Sequence, residues 1–184
     1  MHAPAGRFRA TTLSSLAVVT VIASALLGAA PASAETSAPG KDGWDPAAPT
    51  RPFDYAAGAR CDFPVHTEPI VDEVVQKVLD RHPDGSVSKI AFKGDLVVRV
   101  TNTDTGAYYD ADAGGSAIID IHTDHSQLWH VVGPVLVGVG ENNGNLPRGE
   151  YRIDGVYTLA ISPTGYRTLN MFHGSTDDIC SRIG

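Results

Sequence analysis

The sequence predicts an all-β fold, an antiparallel meander forming a small sandwich or barrel, with a short C-terminal helix tied back by a disulfide. Three observations predict it. Alternating apolar and polar residues run through most of the chain from residue 96 onward. Gly, Pro and Asp turns interrupt them at regular intervals. The two cysteines, Cys61 and Cys180, stand at the start and the end of the patterned region.

The N-terminus reads as a targeting segment. "MHAPAGRFR" carries Arg7 and Arg9 and no acid, an apolar run follows, and "PASA" places Ala32 and Ala34 as a cleavage site. A membrane anchor is the competing reading, but the run from Leu16 to Ala30 falls short of the roughly 20 apolar residues a span requires. Residues 1–34 are therefore expected to be a cleaved signal peptide. The sequence has no Arg-Arg pair, no cysteine beside the cleavage site and no second long apolar segment. It thus predicts general export of a soluble, extracellular protein with no lipid anchor. Cleavage takes Arg7 and Arg9 from the 14 Lys and Arg, leaving 12 against 21 Asp and Glu. That acidic balance excludes nucleic acid and anionic membrane as partners, because both select basic surface.

Residues 35–60 scatter Pro and Gly without a period and read as a flexible leader, with Trp44, Phe53 and Tyr55 as aromatics able to dock it. Residues 61–184 form a single β domain, long enough for one core. No internal repeat is visible. In "PIVDEVVQKVLDRHPDG" the apolar positions 70, 71, 74, 75, 78 and 79 fit a helical stripe with Pro69 at its first position. Five of these six residues are β-branched, which favours a strand turning at "HPDG". "DLVVRVT" puts Leu96, Val98 and Val100 on one face and Arg99 on the other, and Gly106 closes the following turn. "SAIIDIHT" points Ala117, Ile119 and Ile121 inward and Asp120 and His122 outward. "GPVLVGVG" is an apolar strand whose glycines permit a bulge or a close backbone approach. Tyr151, Ile153, Tyr157, Leu159 and Ile161 mark the next strand, and Leu169 and Met171 the return. In "GSTDDICSRIG" Ser175 is placed to cap a short helix, with Asp177 and Asp178 in its first turn. That helix would present Cys180 and Ile183 to the domain. An even cysteine count in an exported chain predicts a Cys61–Cys180 bridge.

The segments "CDFPV", "VRVTNTDTG", "LPRGEYRIDGVYTLAISPTG" and "DDIC" together resemble a family of small secreted proteins from actinobacteria. The resemblance implies a mostly β domain and places residues 70–81 in a strand, against their periodicity. It implies no activity. The chain departs from the pattern at "TDHS", where a "PDGS" turn is usual, so His125 stands where the pattern has glycine and its being incidental is left open.

Chemistry is sparse. "DIHTDHSQLWH" gathers His122, His125 and His130 with Asp120 and Asp124. A two-residue turn at Asp124 and His125 would pair Asp120 with Trp129 and put His122 and His130 on opposite faces. A three-residue loop, Thr123 to His125, would put both histidines on one face, roughly 13 Å apart along it. Neither register brings them to one metal, whose ligands lie about 2 Å away. Asp110 and Asp112 resemble half of a calcium loop, but Ile121 stands where its last acid belongs. His173, Ser175, Asp177 and Asp178 are explained by helix capping, and G-x-S-x-G is absent. No metal and no cofactor are predicted. The expected function is a non-catalytic extracellular module binding an unidentified ligand or protein, with Trp129, His122 and Asp120 as the candidate surface. The alternative is a secreted hydrolase-type enzyme whose site carries no recognisable motif.

Overall fold

A computed structural model describes residues 41–184 of the chain. The signal peptide and cleavage site expected at 1–34 lie outside the described residues. Among those residues no helix is long and apolar enough to cross a membrane.

The strands are β1 (Asp45–Pro46), β2 (Phe53–Tyr55), β3 (Val65–Asp72), β4 (Val75–Arg81), β5 (Val87–Lys93) and β6 (Leu96–Asn102). They continue as β7 (Tyr108–Asp112), β8 (Ser116–Ile121), β9 (Gln127–Val132), β10 (Val135–Val139), β11 (Gly149–Ile161) and β12 (Arg167–Asp178). A single helical turn, α1 (Cys180–Ile183), ends the chain. The larger sheet runs β1-β4-β5-β8-β9-β11. Strand β10 lies beside the first half of β11 on the edge that β9 also uses, and β12 lies along the other edge. The second sheet runs β2-β3-β6-β7. All pairings between these strands are antiparallel, with one isolated parallel bridge, Gly144 to Arg167, among the described residues, and the two sheets form a sandwich-like arrangement.

The architecture reduces to three bent hairpins. β3 with β4 and β5 with β6 are each one run bent at a corner, as are β7 with β8 and β9 with β10. β11 and β12 run through their own corner, where Gly155 and Gly174 face each other at positive φ. A Cβ on Gly155 would stand 2.0 Å from the His173 carbonyl oxygen, so no other residue fits there without moving the strands. The hairpin tips match. The amides of His82, His122 and Ser162 donate to the carbonyls of Ser86, Ser126 and Tyr166, at 2.8, 2.9 and 2.9 Å. The fourth residue of each tip, Gly85, His125 or Gly165, takes positive φ. The three tips are equally spaced in sequence, so a repeat is present where none was expected. It is carried by turn geometry and corner positions, while the residues between are free to differ.

The open reading of residues 70–81 resolves to strand, as the β-branched residues and the resemblance implied, with β3 ending at Asp72 and β4 starting at Val75. Register shifts at Pro69/Val71 and after Val78 each flip the alternation, so the interrupted strand mimics a helical stripe. Pro69 sits at the first of these bulges, where its missing donor is tolerated. The terminal helix is shorter than predicted. Ser175, Asp177 and Asp178 continue β12, and the Asp178 carboxylate accepts the Cys180 amide at 3.0 Å. From Lys41 onward the expected leader is also docked: β1 pairs with β4 and β2 with β3.

The core has two parts. Val65, Val98, Val100 and Ala111 pack with Cys61, Ile179 and Ile183. Val131, Val137, Ile153, Tyr157 and Leu159 build the other, with Trp129 against its margin. Each fully buried aliphatic or aromatic side chain contributes about 1.5–3 kcal/mol. The Cys61–Cys180 disulfide, with Cα atoms 5.4 Å apart, ties α1 to the segment entering β3.

Candidate binding site

Two cavities adjoin between the layers. The first is a groove of about 580 Å³ along the inner face of β5, β8 and β9. Alternation supplies its wall: Ile90 and Phe92 on β5, Ile119 and Ile121 on β8, and Trp129 on β9. Ala47, Ala48 and Thr50, in the docked N-terminal segment, form part of the lining. The Trp129 indole N–H donates to Gln127 Oε1 at 2.8 Å, so its one polar atom is satisfied and its ring is left as apolar wall. No residue lining the groove has a titratable side chain.

The second cavity, about 340 Å³, shares Thr50 and Leu96 with the groove. Its lining is charged. Arg60 precedes β3, Glu150 lies on β11 and Arg167 begins β12. The Glu150 side chain is 6% exposed, and its Oε2 lies 3.6 Å from Arg60 Nε, an ion-pair distance too long for a good hydrogen bond. Both atoms are buried without a hydrogen-bond partner. Burial pushes the Glu150 carboxyl up to about 7, against the pull of Arg60 and Arg167. Burial and the neighbouring Arg60 guanidinium lower the Arg167 pKa. Arg60 also stacks 4.8 Å from the centre of the Tyr55 ring. Its loop is held by Arg148, which donates to the Gly58 carbonyl at 2.8 Å and pairs with Asp62. Gly138 makes room for the pair, because a Cβ there would meet Arg60 Nε at 2.4 Å and Glu150 Oε2 at 2.7 Å.

The residues singled out from sequence separate. The loop at Thr123 to His125 has three residues, so Ile121 pairs with Gln127 and Ile119 with Trp129. Trp129 therefore faces the groove, while Asp120 and His122 occupy the other face of β8, and the surface that would have joined all three does not form. Asp120 instead binds Lys89 at 3.0 Å and His130 at 3.2 Å, and the Lys89 contact chiefly holds its carboxyl below the usual range. His122 and His130 share that outer face. Among the described residues, no three His, Cys, Asp or Glu side chains are grouped to hold a metal ion. Asp110 pairs with Arg99 at 2.7 Å, and Asp112 accepts the Gly114 amide at 2.9 Å. The Arg60, Glu150 and Arg167 cluster was missed. Its members are remote in sequence, and the one available signal was Gly138, a glycine inside an apolar strand that marked a close approach. No family model, curated protein or solved structure matches this chain.

Proposed function

We propose that the domain is an exported, non-catalytic binding module whose ligand lies in the groove against Trp129. The absence of titratable groups from the groove lining carries this reading. A site for acid–base or nucleophilic chemistry needs such groups, whereas an apolar wall with a few polar atoms suits reversible binding of a small molecule. Export rests on the N-terminal sequence, and a disulfide is compatible with an oxidising, extracellular setting. The test is titration with N-phenyl-1-naphthylamine, an uncharged dye that fluoresces in apolar sites. Saturable binding near one equivalent is expected, with loss in Ile121→Arg, which puts a charge on the groove wall. Absence of saturable binding by the wild type overturns the reading.

One observation favours the hydrolase-type alternative. Glu150, with its carboxyl near 7, could exchange a proton at neutral pH. No histidine, serine or cysteine lines its cavity to act with it. Turnover of nitrophenyl esters that disappears in Glu150→Gln would establish this alternative in place of the binding reading.

A further inference from the structure

We infer that the ligand is an amphipathic monocarboxylate, its apolar body in the groove beside Trp129 and its carboxylate between Arg60 and Arg167. The inference deepens the binding reading and rests on it. Three features select this chemistry. The apolar and charged cavities share Thr50 and Leu96 in their walls, so one molecule can occupy both. The charged cavity is short of one negative charge: two guanidiniums face the single buried carboxylate of Glu150, while Arg51 and the half-exposed Glu68 offset each other. A monoanion restores balance while Glu150 is ionised, and a monoanion that enters together with one proton leaves the charge of the cavity unchanged. Finally, Arg60 Nε is a buried donor without a partner, and a planar carboxylate is the acceptor that guanidinium geometry matches best.

Glu150 then sets the pH response. The charged and titratable groups around it are Arg51, Tyr55, Arg60, Glu68 and Arg167. A second carboxylate brought into this cavity favours the protonated form of Glu150. Binding therefore takes up a proton, and affinity falls as pH rises past about 7.

The experiment compares dodecanoate, kept below its micellar concentration, with dodecanol and with N-phenyl-1-naphthylamine on the full mature chain. Dodecanoate is expected to bind at one equivalent, about tenfold or more tighter than dodecanol, since charge-assisted hydrogen bonds distinguish them. Arg60→Gln and Arg167→Gln should abolish that preference and leave dye binding intact, which also shows that the variants are folded. Glu150→Gln should keep the preference and flatten its pH dependence between pH 6 and 8. Dye binding without a preference for the acid, or a preference surviving in both arginine variants, sinks the carboxylate assignment and leaves the groove reading standing. Failure of all three probes removes both.

Discussion

The two halves of the molecule begin from the same sequence pattern and end differently. Around β3, β6 and β7 the inward apolar residues are sealed: Ile179 and Ile183 drop onto Val65, Val98 and Val100, and the disulfide holds them there. Around β5, β8 and β9 the inward residues Ile90, Phe92, Ile121 and Trp129 are equally apolar, yet each keeps part of its surface. Their cover is a thin docked segment in place of a tail. Alternation thus determines which face turns inward. What closes over that face is decided by a separate piece of chain, and where the cover is thin a cavity remains.

The sharpest way to break this contrast is at the disulfide. Reduction, or Cys61→Ser, releases the cover of the closed half, and the bridge spans a sequence separation of 119. In the chain-entropy model a loop of this size is worth up to about 5 kcal/mol. Urea unfolding with and without reductant measures it, and coincident curves would mean the tail closes this half without covalent help. Next comes truncation on each side. Ile179 is fully buried, and Ile179→Ala should cost about 3 kcal/mol. Trp129 is half-buried, so Trp129→Ala should cost about 2 kcal/mol despite removing more atoms, and should also weaken dye binding. If the tryptophan variant loses more stability than the isoleucine variant, the open half is as much core as the closed one.

Glu150 joins the halves, since its carbonyl accepts the Ile179 amide at 2.8 Å while its side chain lines the charged cavity. Its folded-state pKa, about 7, lies above the ordinary carboxyl value of 4.5. The native state therefore holds this proton more tightly than the unfolded chain does. The resulting stability is full below about pH 4.5 and is lost as pH rises through about 7. Glu150→Gln should accordingly raise stability by up to about 3 kcal/mol at pH 8 and hardly change it at pH 4. Melting temperatures across that range check the sign, and a variant less stable than wild type at pH 8 would make the Arg60 pair a net stabiliser. The smallest effect belongs to a hairpin tip. His125 holds φ 67° where the matching tips have glycine, so His125→Gly should gain up to about 1 kcal/mol, read as a rise of a few degrees in Tm.

Much of the fold was legible because it follows from local alternation. The faces of 96–100, 117–121 and 151–161, the turn at Gly106 and the Cys61–Cys180 bridge all stand where the pattern put them. Residues 70–81 were ambiguous because bulges reset the alternation, and no local rule announces a bulge. The face of Trp129 stayed open because one residue more or less in the turn inverts every side chain of a strand, and only the two-residue turn would have joined it to Asp120 and His122. The charged cavity was illegible for a different reason. Arg60, Glu150 and Arg167 meet only after the hairpins have folded together, and each alone looks like ordinary surface charge. The triple hairpin escaped notice because a repeat confined to tips and corners leaves most positions unconstrained.

The Cys61–Cys180 bond has a consequence for resistance to proteolysis. It makes the chain from Cys61 to Cys180 a closed covalent circuit, from which the three hairpin tips project. Exposed tips are where proteases cut first. A single cut in a closed circuit yields no free fragment: the two pieces stay joined through sulfur, and the sheet pairings on either side of the cut stay in register. A nicked molecule should migrate as one band until it is reduced, and should keep its sheet pairings in the meantime.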